Sequence, residues 1–274
     1  MSASGNHSTG HVIDENDWDA LQEYLSHSIV TPEARNELLG YLEEAFHRFL
    51  ITLGLVPRRE GRLLEIGANP YFLTLLLKKF RTYEISLTNY FDGVAPRGVQ
   101  TIVNECYGET HDLEFWQINV ECDEFPFADE SFEVVLFCEV IEHLLEDPIH
   151  ALLEIRRVLV PGGCLIVSTP NVARWENVRR MLAGEQSLYD PYSQHGAYGR
   201  HNREYTLTEL TRLLAEAGFR SRKAFTADVH DTEPIRRELQ EQHVPTHGER
   251  GAYCFVVAQQ SEGIGERRPM WIYR

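Results

Sequence analysis

At 274 residues the chain is longer than a typical domain but within the range of a single α/β unit, and it can bury a sizeable core. Hydrophobic residues make up 43% and charged residues 25%, close to globular averages, which argues against disordered, fibrous and membrane-spanning classes. With 26 Lys and Arg against 42 Asp and Glu the net charge is −16, a field that repels a polyanion and makes nucleic acid an unlikely partner.

Met1 to Thr9 is Ser-rich and polar, without the apolar stretch of a secretion signal. No apolar run approaches the ~20 residues that span a bilayer, so a cytoplasmic protein without membrane insertion is expected. Residues 1–13 read as flexible. Thr31-Pro32-Glu33 supplies a cap, an N1 proline and an early acid for a helix running to Gly54. Leu38, Leu42, Ala45, Phe46, Phe49 and Leu53 recur at steps of three and four, so one helix face is apolar and needs a surface to cover. Residues 1–58 are therefore expected to form a flexible segment and helical cap on a catalytic domain spanning 59–260, with 261–274 as a tail.

From Arg62 onward, short apolar runs alternate with helical stretches, the signature of βαβ units around a mostly parallel sheet. Strands are predicted near 62–66, 83–88, 114–118, 132–138, 163–168, 221–228 and 252–259. Helices fall near 71–80, 148–159, 172–183 and 207–217, the last ended by Gly218. Tyr90 to Thr110 is too polar for core and reads as a surface excursion. Residues 184–203, rich in Tyr, His and Gly, read as a lid loop. Cys106, Cys122, Cys138, Cys164 and Cys254 show no CxxC spacing, so reduced, mostly buried thiols are expected. Arg174, Arg179, Arg180, Arg200 and Arg203 read as ordinary solvated arginines rather than an anion-binding patch.

Leu63-Leu64-Glu65-Ile66-Gly67-Ala68-Asn69 joins a strand to a helix through a small-residue turn. Gly67 lets a ligand approach the main chain, the following helix presents unpaired N–H groups, and Glu65 can accept from a positive amino group. With one glycine the turn lacks a dinucleotide fingerprint, which disfavours nicotinamide and flavin.

Four segments carry a resemblance in order: Glu65 to Asn69 (EIGAN), Phe125 to His143 (FPFADESFEVVLFCEVIEH), Arg156 to Asn171 (RRVLVPGGCLIVSTPN) and Glu204 to Phe219 (EYTLTELTRLLAEAGF). Over residues 60–220 the chain resembles the class I, Rossmann-like methyltransferases. The resemblance implies a seven-stranded sheet with its last strand antiparallel, flanked by helices, and S-adenosyl-L-methionine as methyl donor. It places Glu65, Gly67, Ala68 and Asn69 at the donor's methionine end and Asn119, Val120 and Glu121 at its adenine, with Cys138 and Glu139 below. Two positions depart from the family pattern. Asn69 replaces a glycine, tolerable because Asn adopts left-handed backbone more readily than most residues. Asn89 replaces the acid that holds the ribose hydroxyls and can offer only a neutral hydrogen bond, unless Asp92 substitutes.

Methyl transfer from a sulfonium is an in-line displacement in which the protein aligns the partners and removes a proton. His143, with Glu142, is the candidate base. Tyr198 and His201 of the lid are candidate acceptor contacts. Glu139, Glu142, His143 and His201 also resemble the metal-binding set of the small-RNA 3′-end 2′-O-methyltransferases and the ubiquinone-pathway O-methyltransferases, although the same Glu-His pair occurs in relatives with no metal, and none is assigned. The function expected is O-methylation of a sugar or secondary metabolite. An RNA 2′-O-methyltransferase and a noncatalytic S-adenosylmethionine-binding protein are the alternatives.

Overall fold

The computed structural model describes residues 13–28, 35–91, 95–186, 196–245, 248–263 and 268–273. Thr31-Pro32-Glu33, Asp92 and Tyr189, Tyr192 and His195 of the lid lie outside these residues.

An eight-stranded sheet runs in the order β3-β4-β2-β1-β5-β6-β8-β7. Its parallel centre is β1 (Gly61–Ile66), β2 (Tyr83–Asn89), β4 (Glu109–Gln117), β5 (Phe132–Cys138) and β6 (Leu159–Pro170). At one end β3 (Arg97–Asn104) pairs antiparallel with β4. At the other, β8 (Tyr253–Gln260) runs antiparallel to both β6 and β7 (Phe219–Ala227).

Because side chains alternate along a strand, each central strand feeds two cores. Leu64, Ile66, Val135 and Phe137 pack on one face with α4 (Pro148–Val158) and α6 (Leu207–Glu216). Leu63, Val134 and Leu136 pack on the other with α1 (Trp18–Ser26), α2 (Arg35–Leu55) and α3 (Phe72–Phe80). The apolar stripe of α2 lies against the sheet as its spacing predicts, with Leu42, Phe46, Phe49 and Leu53 buried. Local signals set the helix starts. Asp147 caps α4 ahead of Pro148, and Thr206 with Glu209 forms a capping box on α6.

Four features depart from the predicted pattern. The 90–110 segment contains β3, so the sheet has eight strands rather than seven. As an edge strand β3 has one hydrogen-bonded neighbour and a solvent face, hence its polar sequence; Ile102 is nevertheless fully buried. Asn104 at its end donates to Tyr24 O at 2.9 Å and Ser28 Oγ at 2.8 Å, tying β3 to α1. Helix α5 (Trp175–Leu182) is near its predicted place, whereas α1 and α7 (Glu233–Glu241) are short helices missed by periodicity. The tail after Gln260 is not featureless: Trp271, Ile272 and Tyr273 pack on the core, and Tyr273 Oη donates to Asp147 Oδ1 at 2.6 Å. Among the five free thiols, Cys106 and Cys122 are exposed, so only part of the expected burial is realised. None of the described helices is long and apolar enough to cross a membrane.

Candidate active site

The strand order reverses on either side of β1, and the carboxyl ends of β1, β2, β4 and β5 open onto one crevice, where open α/β sheets bind ligands. Gly67 turns the chain out of β1 with φ of 71°, and a Cβ built there would lie 2.6 Å from Val140 Cγ2. Glycine suits the left-handed backbone here, and any side chain would also displace Val140, two residues past β5. The left-handed non-glycine residue of this turn is Tyr71, also at φ of 71°, and not Asn69 as the glycine replacement suggested. Asn69 donates its N–H to Asn89 Oδ1 at 2.9 Å, and Asn89 Nδ2 donates to Tyr71 Oη at 2.8 Å. Both ends of the Asn89 amide therefore brace the turn.

A hollow of about 330 Å³ opens beside the turn, within the ~300 to 1,000 Å³ range of small-ligand sites. It is lined by Gly67, Asn69, Asn89, Asn119, Val120, Glu139 and His143 from the predicted set, and by Tyr90, Phe91 and Leu144, which were not singled out. Tyr198 also lines it. Its hydroxyl accepts from Asn119 Nδ2 at 3.2 Å, and its ring meets Tyr90 edge-on at 5.4 Å, so the end of the lid reaches the segment predicted to face the adenine. Glu121 is buried beneath: its Oε1 accepts from the N–H groups of Leu145, Glu146 and Asp147, fixing the loop after β5. Glu65, Ala68 and Cys138 line a second, smaller hollow of about 70 Å³ on the other side of the turn, with Gly67, Asn69 and Glu139 common to both.

Behind His143 stands an acid-histidine cluster. Single ligand atoms of Glu142, His143 and His201 all lie within 4.8 Å of one another. Glu142 is fully buried. Its Oε2 accepts from Thr169 Oγ1 at 2.9 Å, whereas Oε1 has no hydrogen-bond partner and sits 3.9 Å from His143 Nε2. His143 Nδ1 is 2.9 Å from the carbonyl oxygen of Arg200; since that oxygen only accepts, the proton belongs on Nδ1 and the lone pair on Nε2. His201 Nδ1 is likewise 3.1 Å from Glu204 Oε1, and the two imidazoles meet edge to face at 5.0 Å. The fourth residue of the predicted set, Glu139, turns elsewhere: it accepts from Ser168 Oγ at 2.7 Å and pairs with Arg48 Nη1 at 3.4 Å.

Burial, reinforced by the charge of Glu139, pushes the Glu142 carboxyl well above the usual carboxylate range. Glu204 goes the other way: burial opposes its ionisation, but hydrogen bonds from His201 and Arg174 outweigh it and hold the group low. Glu204, Arg48 and Tyr41 were given no role by the sequence reading, and Arg174 was read as solvated. Glu204 had a signal, three residues after His201 within a recognised segment; Arg48 sat inside a helix read only for its apolar face. Of the arginines read as solvated, Arg174, Arg179, Arg180 and Arg203 each pair with a carboxylate.

Glu65 is 5% exposed, and burial, only partly offset by the hydrogen bond from Thr74 Oγ1 at 2.7 Å, pushes its carboxyl up to about 8. A pKa raised on folding means the native state holds a proton that the unfolded state has released, so stability falls as pH rises from the ordinary value of 4.5 towards about 8. Glu65→Gln removes that dependence. In thermal melts its Tm relative to the parent is expected to improve steadily between pH 5 and pH 8, by roughly 2 °C or more; a difference independent of pH would contradict the assignment.

A sequence profile described as "Methyltransferase domain" matches residues 38–224. A probable S-adenosylmethionine-dependent methyltransferase of Mycolicibacterium smegmatis is 38% identical over 96 residues, which cover 35% of this chain and 32% of that one. A ubiquinone biosynthesis O-methyltransferase of Cereibacter sphaeroides is 36% identical over 116 residues, 42% of this chain and 44% of that one. The match thus spans about a third to under a half of these relatives' length. Among solved structures, an S-adenosylmethionine-dependent methyltransferase of Thermotoga maritima, described as a possible histamine N-methyltransferase, aligns with a TM-score of 0.53 at 21% identity, covering 89% of this chain and all of that one. The 1,6-didemethyltoxoflavin-N1-methyltransferase of Burkholderia thailandensis, solved with bound 1,6-didemethyltoxoflavin and S-adenosylhomocysteine, aligns with a TM-score of 0.51 at 16% identity, covering 96% of this chain and 94% of that one. At these identities the structural likeness speaks for the fold.

Proposed function

The chain belongs to the class I S-adenosylmethionine-dependent methyltransferases, and on that premise we propose that it transfers the donor's methyl group to an oxygen of a small hydroxylated acceptor, a sugar or a secondary metabolite, bound beside His143. The observation that carries this reading is the meeting of Glu142, His143 and His201 behind a hollow that His143 itself lines. An alcohol or phenol must lose its proton as its oxygen attacks the sulfonium methyl, and a nearby imidazole lone pair supplies the acceptor for that proton. His143 Nε2 takes it, and the Arg200 carbonyl holds the ring in register. The ubiquinone-pathway relatives, O-methyltransferases by name, support oxygen over nitrogen. The net charge of −16 and the carboxylate partners of the lid-side arginines weigh against RNA as acceptor. Asn69 and Asn89, which motivated the noncatalytic alternative, are joined in a braced turn next to the hollow, so their departure from the family pattern does not argue against donor binding.

One observation favours a second reading of the same cluster. A buried carboxylate oxygen without a partner needs either a proton or a cation. Glu142, His143 and His201 would hold a divalent ion, which when bound lowers the pKa of a coordinated hydroxyl. With isotope-labelled donor and a panel of catechols and sugars, label is expected in a methyl ether, and activity is expected to survive exhaustive chelation. Loss on chelation and return with added metal would establish the second reading, and label found only on nitrogen would overturn oxygen as the acceptor atom.

A further inference from the structure

The imidazole of His143 is held from the lid side by a closed loop of hydrogen bonds that passes through Asn202. His143 Nδ1 donates to the Arg200 carbonyl at 2.9 Å, Arg200 Nε donates to Asn202 Oδ1 at 3.2 Å, and Asn202 Nδ2 donates to the His143 carbonyl at 2.8 Å. Nδ2 also stands 3.5 Å from the Arg200 carbonyl. The partners fix which way round the amide sits: both carbonyls only accept and the guanidinium only donates, so nitrogen faces the former and oxygen the latter. A carboxylate of the same shape would meet only one of these demands. The backbone around Asn202 is anchored independently. The N–H groups of Asn202 and Arg203 donate to Glu142 O at 2.7 and 3.1 Å, the N–H of Val172 donates to Tyr205 O at 3.1 Å, and Thr206 starts α6 with its capping box. The course of the chain through 202–206 therefore does not depend on the Asn202 side chain, which instead spans from the His143 carbonyl to Arg200.

We propose that Asn202 is a positioning residue for the reaction: by tying the His143 main chain to Arg200 it keeps the Arg200 carbonyl against Nδ1, and so keeps the His143 proton on Nδ1 and the lone pair on Nε2. This rests on His143 acting through Nε2, and it holds whether that atom takes a proton or binds an ion, because both need its lone pair. An imidazole released from the carbonyl can carry its proton on either nitrogen, and the form protonated on Nε2 can do neither. Glu142 Oε1, at 3.9 Å, is beyond hydrogen-bond reach of Nε2 and does not set the tautomer. The same stretch of lid carries Tyr198 to Asn119 in the larger hollow, so donor affinity is the control that separates a displaced lid from a released imidazole.

The test reads the imidazole directly, by nitrogen NMR of the full chain with isotope-labelled histidine. His143, identified by the signal missing from His143→Gln, is expected to show Nδ1 protonated and Nε2 bare when the ring is neutral. Asn202→Asp, of the same shape without donors, is expected to move His143 towards the other tautomer and to lower kcat about tenfold or more, the scale on which losing the partner of a working imidazole acts. Its Tm, its acceptor KM and its affinity for S-adenosylhomocysteine should stay close to those of the parent. Asn202→Gln, which keeps the amide, is expected to recover part of both signals, and in a His143→Ala background Asn202→Asp should cost nothing further. A wild-type His143 protonated on Nε2 overturns the proposal without recourse to any variant. So does an Asn202→Asp protein with unchanged tautomer and kcat, a parallel loss of donor affinity, or an equal loss of kcat in both backgrounds. Undiminished kcat in His143→Ala overturns instead the reading of His143 as the acting group.

Discussion

His143→Ala is expected to lower kcat for methyl transfer by about a hundredfold or more, the usual contribution of a positioned general base. The imidazole is the one basic group of the cluster that also lines the larger hollow, and its Nδ1 proton is committed to the Arg200 carbonyl, leaving Nε2 to act. The loss should be selective. Binding of S-adenosylhomocysteine should change little, because the turn at Gly67 and the contacts of Asn119 and Tyr198 remain. It should also depend on pH: raising the pH ionises the acceptor without help, so the deficit of the variant should shrink as the acceptor's own pKa is approached. Steady-state kinetics across pH, with a calorimetric binding control, read both effects. An undiminished kcat would remove His143 from the proton transfer, and a deficit constant with pH would make it an aligning group.

Gly67→Val is expected to abolish donor binding, raising the dissociation constant of S-adenosylhomocysteine at least about a hundredfold. Two independent penalties act at this position. A β-branched residue at φ of 71° carries backbone strain of about 1–3 kcal/mol, and the new side chain must enter space where a Cβ alone lies 2.6 Å from Val140 Cγ2. Either the turn shifts or Val140 moves, and both line the larger hollow. The milder Gly67→Ala separates the two penalties. Pairing it with Val140→Ala removes the contact but not the backbone strain, so affinity should return only in part. Full recovery in the double variant would show that crowding alone matters at Gly67, and wild-type affinity in Gly67→Val would dissociate the turn from the donor site.

The central elements were legible because their local and global demands agree. β1, β5 and β6 are buried on both faces and read as near-continuous apolar runs, and α4 and α6 carry capping residues that act over three positions. The edge strand β3 was hidden for the opposite reason: half of it faces water, and its burial depends on α1, which is far away in sequence. The same division runs through the site. His143 and Glu142 adjoin one recognisable strand, whereas Arg200, whose carbonyl holds the His143 ring, lies far along the chain in the lid.

The sequence by itself determined the class of fold, the small-residue turn at Glu65 to Asn69 and the acid-histidine pair after β5, because each is written in contiguous residues whose spacing matches one element. Only the tertiary structure decided how those groups are used. It brought His201 within reach of Glu142 and Glu204 against His201, turned Glu139 towards Arg48, engaged Asn89 in bracing the turn and drew the tail onto Asp147. Those outcomes depend on which helices cover which face of the sheet. Burial then changes the chemistry of the groups it encloses, and neither is a property of any local stretch of chain.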